Sequence, residues 1–168
     1  FYHETAGSGE EKTPTFSVHA RYELATDTNR SVPITLHFVM PEPCEYTRPV
    51  FTVPPHAENL LFSSDKRPFV FHDDGVILKA MGHFHAAYTK GVSNTLRLLL
   101  NGKQIDSFTT TNVGDEAARN PKLLAGRLVS VHRGDILSVH AIFSNPSAEP
   151  VAEGMAIVGF YFAPLSNK

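Results

Sequence analysis

Apolar residues in this chain recur at every second position, not every third or fourth. Phe16, Val18, Ala20, Tyr22 and Leu24 alternate with Ser17, His19, Arg21 and Glu23, and Ile34, Leu36, Phe38 and Met40 repeat the pattern. Successive side chains of an extended backbone point to opposite faces, so this alternation describes half-buried strands. No segment carries a convincing amphipathic helical period, and there is no internal repeat.

Turn signals divide the apolar stretches. The run from Leu96 to Asn101 passes through Gly102 into the run from Lys103 to Thr110, and Asn101-Gly102 predicts a two-residue hairpin turn because both residues tolerate positive φ. Asp73-Asp74-Gly75 and Arg133-Gly134-Asp135 predict further turns. The second of these is also the adhesion tripeptide, but between two apolar runs it reads as a turn. Strands are expected over 68–72, 76–88, 136–143 and 155–163, with another inside 123–132. Pro41, Pro43, Pro49, Pro54 and Pro55 restrict 41–55 to edge or loop, since central strands reject proline. Residues 111–121 read as a polar connection and 145–150 as a loop. Residues 1–14 are polar and read as an N-terminal arm. The expected fold is all-β, an antiparallel jelly-roll-like β-sandwich forming a single domain over 15–168.

With 168 residues, 42% of them hydrophobic and 19% charged, the chain can build a core of ordinary size. Its 15 basic and 17 acidic side chains leave a formal charge of −2, which gives no electrostatic footprint for nucleic acid. No apolar run reaches the roughly 18 residues of a membrane-spanning helix. Phe1-Tyr2-His3 is not an initiator sequence, as expected of a mature or trimmed form. Cys44 is the single cysteine, so no internal disulfide is expected. It reads either as an inert thiol or as a bridge to a second subunit. Asn29-Arg30-Ser31 is a glycosylation sequon and points to secretion.

The nine histidines include one informative arrangement, Met81-Gly82-His83-Phe84-His85. On a strand, residues i and i+2 leave the same face about 6.5 Å apart, so two imidazoles at that spacing can converge on one metal ion. Phe84 then points into the core, and Gly82 lowers the bulk on that opposite side. Spacing alone is equally that of two polar side chains on a solvated face, so a third ligand is needed. The candidates are Met155, Met81, His72, His132 and His140. Two imidazoles with a thioether favour copper, Cu(I) especially, whereas zinc would take a third imidazole, a carboxylate or a thiolate. Met155 follows a polar loop and a glycine at the head of the last strand, although a lone methionine is also common core filling.

These residues resemble a known family. Residues 50–163 are similar to the C-terminal copper domain of the type II, ascorbate-dependent copper monooxygenases, which include peptidylglycine α-hydroxylating monooxygenase and dopamine β-monooxygenase. Val53-Pro54-Pro55 matches a Pro-Pro turn and His83-Phe84-His85 the His-x-His ligand pair. Arg133-Gly134-Asp135-Ile136-Leu137, running into Val139–Phe143, matches a Gly-Asp strand motif, and Glu153-Gly154-Met155 matches the Met-ligand strand. The resemblance implies a jelly-roll-like sandwich holding one copper ion on His83, His85 and Met155. Several family features are missing. Residues 1–50 are too short for the family's second copper domain, and its disulfides are absent. The peptide-amidating enzymes hold a substrate carboxylate with an arginine, an asparagine and a tyrosine at positions occupied here by Met81, Ile157 and Gly159. Amidation of glycine-extended peptides is therefore not expected.

Three functions fit this sequence. The first is a secreted copper-binding module with a mainly structural metal. The second is a single-copper monooxygenase or oxidase using O₂ and an external reductant. The third is a self-associating subunit joined through the N-terminal arm, the sheet edges or Cys44.

Overall fold

The computed structural model describes residues 33–42, 50–85, 92–110 and 121–165. The chain divides into two compact units, Phe1–Ser31 and Val32–Lys168. The arm expected over 1–14, the alternating run 16–24, the sequon at Asn29 and the single thiol of Cys44 all lie outside the described residues.

In the second unit the described residues form strands β1 (Thr35–Val39), β2 (Phe51–Val53), β3 (Ala57–Ser63), β4 (Phe69–Val70), β5 (Gly75–His85), β6 (Ser93–Leu100), β7 (Lys103–Thr110), β8 (Lys122–Leu123), β9 (Val129–Val131), β10 (Ile136–Asn145) and β11 (Val151–Pro164). One sheet has the order β1-β11-β5-β8, with β2 also paired to β11 and β9 to β5. The other has the order β3-β10-β6-β7, with β4 paired to β10. Every pairing is antiparallel. The fold is an all-β sandwich.

The core lies between the sheets and follows the period of two. Leu137, Val139, Ala141 and Phe143 of β10 are fully buried, as are Leu96 and Leu98 of β6. Ala80 and Phe84 of β5 and Ala156, Val158 and Phe160 of β11 face them from the other sheet. Phe51 and Phe62 pack 4.0 Å apart between ring centroids, and Phe143 meets both edge-on. Each fully buried phenylalanine contributes about 1.5–3 kcal/mol. Asn101 and Gly102 adopt φ of 52° and 75°, the pair of positive values that the hairpin turn between β6 and β7 requires.

Two elements differ from the sequence pattern. At β1 and the residue before it, three apolar side chains face outward. Ile34, Leu36 and Phe38 are 57%, 45% and 46% exposed. Val39 and His37 point inward, where His37 lies 4.6 Å from the Phe69 ring and 5.3 Å from the Phe160 ring. The register His37↔Phe160 fixes this choice, since a one-residue slip would exchange the two faces. β3 has no counterpart among the expected strands. Asn59 takes φ of 51°, and the pairing of β3 with β10 shifts between Phe143 and Asn145. This irregularity breaks the alternation by which a strand is read.

The region around Arg133-Gly134-Asp135 forms the expected turn. The Asp135 carboxylate accepts hydrogen bonds from the His132 backbone N–H at 2.7 Å and from Asn101 Nδ2 at 2.8 Å. It closes its own turn and ties it to the β6–β7 hairpin.

Candidate metal centre

Strand β5 carries the histidine pair. Its neighbours Gly82 and Phe84 are buried between the sheets, which commits Met81, His83 and His85 to the outer face. Gly82 is required by close packing. A Cβ there would stand 2.6 Å from Leu96 Cδ2 and 2.8 Å from Pro121 Cγ.

The Gly82 N–H donates to the Pro121 carbonyl at 2.8 Å, on the side of β5 away from β11. Backbone groups alternate sides along a strand, so the N–H groups of His83 and His85 point toward β11. Their register partners there are Ile157 and Met155. Both are hydrogen-bonded pairs, with Cα atoms about 5.5 Å apart. Met155 thus faces His85 directly and lies diagonal to His83, within reach of a long side chain.

The His83 and His85 ring centroids are 4.9 Å apart, with ring planes at 77°. A metal bonded to an imidazole nitrogen at about 2 Å lies roughly 3 Å from the ring centroid, so two rings on one tetrahedral ion have centroids roughly 5 Å apart. The spacing matches a shared ion. It is also an ordinary edge-to-face distance, so it permits the ion without requiring it. His83, His85 and Met155 are all half-buried.

The start of β11 is braced from behind. A Cβ at Gly154 would stand 2.7 Å from the Phe51 ring, so glycine lets that ring close against the strand one residue before Met155. Buried Asn145 organises the adjoining loops. Its Nδ2 donates to the Pro54 carbonyl at 3.0 Å and the Glu149 carbonyl at 2.9 Å, and its Oδ1 accepts from Ser147 Oγ at 2.7 Å.

The other candidate ligands lie elsewhere. His140 is on β10, in the opposite sheet, with its Nε2 2.8 Å from Asp65 Oδ2. The Asp65 carboxyl titrates below its ordinary range; partial burial opposes this, but hydrogen bonds from His140, Ser63 and Ser138 outweigh it. His132 is exposed, with its Nδ1 3.6 Å from Asp74 Oδ1. His72 is exposed in the bend after β4. Met81 shares the outer face with His83 and is paired with Gly159. Among the described residues no three of His, Cys, Asp and Glu form a metal-binding group. Among the described residues, this face carries two imidazoles and two thioethers, with Lys122 across from Met81 on β8 and the Lys79–Tyr161 pair one step further along.

One neighbour of the site was not legible in the alternation. A Cβ on Gly159 would stand 3.0 Å from the Phe38 ring, so that ring lies over the glycine beside Met81. The signal was a glycine in mid-strand, which marks a close approach from outside.

No protein-family model matches the chain. No curated protein matches it. Among solved structures, a β-glucosidase from Paenibacillus barengoltzii is 16% identical with a TM-score of 0.32, over 64% of this chain and 11% of that one. The CBM36-1 domain of a multidomain xylanase from the hindgut metagenome of Trinervitermes trinervoides is 9% identical with a TM-score of 0.35, over 80% of this chain and 100% of that one. Neither likeness bears on the site.

Proposed function

We propose that this sandwich is a copper-binding domain holding one ion through His83, His85 and Met155. The observation that carries the reading is the register in which Met155 stands directly across from His85 while His83 shares that face. The donor set is neutral and includes a thioether, which favours Cu(I) over zinc. Its ligands come from two adjacent strands, so the ion when bound supplies a cross-link between β5 and β11. The role of the metal is mainly structural.

The protein's own part is to hold the three donors in place before the ion arrives. Phe84 anchors the histidine strand in the core, Gly82 lets that strand close on Leu96 and Pro121, and Gly154 seats the methionine strand against Phe51. The test is thermal melting with and without copper for the full chain and for His83→Ala. Copper is expected to raise the melting temperature of the native protein and to leave the variant unmoved. Equal shifts in both would contradict the assignment.

The half-exposed imidazoles favour a second reading, a monooxygenase or oxidase fed by O₂ and an external reductant, because three protein ligands leave coordination positions open. Oxygen consumption with ascorbate, compared with free copper at equal concentration, tests it. A rate no higher than free copper removes this reading and leaves the structural one.

A further inference from the structure

Away from the histidine pair, the turn that closes the β6–β7 hairpin is tied to the turn before β10 through Asn101 and Asp135. Asn101 and Gly102 form the chain's single Asn-Gly step, and both residues are exposed. The Asn101 N–H donates to the Ile136 carbonyl at 2.8 Å. The Ile136 N–H donates in return at 2.9 Å, but to Asn101 Oδ1, so a side-chain oxygen accepts where a backbone carbonyl would complete the pair. Asn101 Nδ2 donates to Asp135 Oδ1 at 2.8 Å, and Asp135 Oδ2 accepts from the His132 N–H at 2.7 Å. The bond from the His132 backbone first, and that from Asn101 second, hold the Asp135 carboxyl below its ordinary range, so it remains a charged acceptor at neutral pH. Both ends of the Asn101 amide are therefore engaged.

We propose that Asn101 is a deamidation site guarded by Asp135. Glycine has no side chain to shield its backbone nitrogen or to restrict the peptide's rotation. That nitrogen attacks Asn101 Cγ: the new N–C bond forms, the Gly102 N–H proton leaves, the Cγ–Nδ2 bond breaks and ammonia departs, closing a succinimide. Water then opens the ring and leaves aspartate or isoaspartate at 101. One water enters, one ammonia leaves and no electron moves. Attack needs the side chain and the Gly102 peptide to rotate together, and the amide cannot rotate while Ile136 holds its oxygen and Asp135 its nitrogen. The product opposes the guard. A carboxylate at 101 sets an oxygen against Asp135 Oδ1 in place of a donor, two like charges at hydrogen-bond distance. Deamidation thus breaks the tie between the hairpin and the turn before β10, and isoaspartate also lengthens the backbone of a two-residue turn.

The experiment incubates the full chain at neutral pH and follows residue 101 by peptide mapping and mass spectrometry, for the native protein and Asp135→Asn. Acid at 101 is expected to form roughly tenfold faster in Asp135→Asn, the effect of losing a hydrogen bond to a charged acceptor. An equal rate in the two proteins overturns the proposal. An unfolded variant would deamidate quickly whatever Asp135 does, so a second measurement does not depend on the rate. Asn101→Asp, which reproduces the aspartate product, should lower the urea midpoint of the full chain. Adding Asp135→Asn to it should restore that midpoint, because the amide at 135 then donates to the carboxylate at 101 while its oxygen still accepts from the His132 N–H. A native midpoint in Asn101→Asp, or no recovery in the double variant, overturns the proposal.

Discussion

His85 and Met155 are register partners, set directly opposite each other on β5 and β11 on the outer face of the six-stranded sheet. They are 70 residues apart in the chain, and only the antiparallel pairing of these two strands brings them together. A slip of one residue would turn one of them toward the core. The pairing of a long central strand with the last strand therefore determines whether a thioether stands across from His85.

Removing the sulfur separates metal binding from packing. Met155→Leu preserves volume and apolar character, so it should cost less than about 1.5 kcal/mol of stability. Groups that merely support metal ligands are worth about 10–100-fold in affinity, so loss of this ligand should weaken Cu(I) binding at least tenfold. Competition titration against a chelator, with a denaturation curve as control, measures both. Unchanged affinity would take Met155 out of the site.

Gly82→Ala should destabilise the fold. The added methyl would meet Leu96 and Pro121 at distances that real contacts do not reach. Overpacking of this kind costs about 1–3 kcal/mol. Urea unfolding should show a lower midpoint. A native midpoint would mean that Leu96 and Pro121 give way without strain.

His37 should impose a pH dependence on stability. Burial among the Phe69 and Phe160 rings holds its imidazole below the usual value of 6.5. The unfolded chain takes up this proton near 6.5, and the folded chain does so only at lower pH. Its contribution is therefore present above 6.5 and is lost as pH falls through the folded value. In His37→Gln, with EDTA present to keep metal out of the comparison, the fall in melting temperature across this window should be smaller than in the native protein. Equal falls would assign the effect to other groups.

The period of two was sufficient to read the sandwich, and Asn101-Gly102 to read its sharpest hairpin, because both are local properties of the chain. The His-x-His pair was legible for the same reason: strand geometry alone puts both rings on one face. Other features depend on pairing and were hidden. Alternation along Ile34, Leu36 and Phe38 gives a period but not which side faces the core, and the register with Phe160 and Phe162 turned those residues outward. The bulge opposite β3 and the left-handed Asn59 erased its pattern. That His140 stands apart from the histidine pair also needed the sheet order, since β10 belongs to the other layer, whereas Met155 was named from donor chemistry and the family resemblance.

Copper K-edge absorption on the full chain, after metal analysis of the loaded protein, tests the copper site most directly. One copper per chain with two imidazole nitrogens and one sulfur, the sulfur absent in Met155→Leu, is the predicted result. A protein that retains no copper, or copper whose coordination shell contains no sulfur, would contradict it.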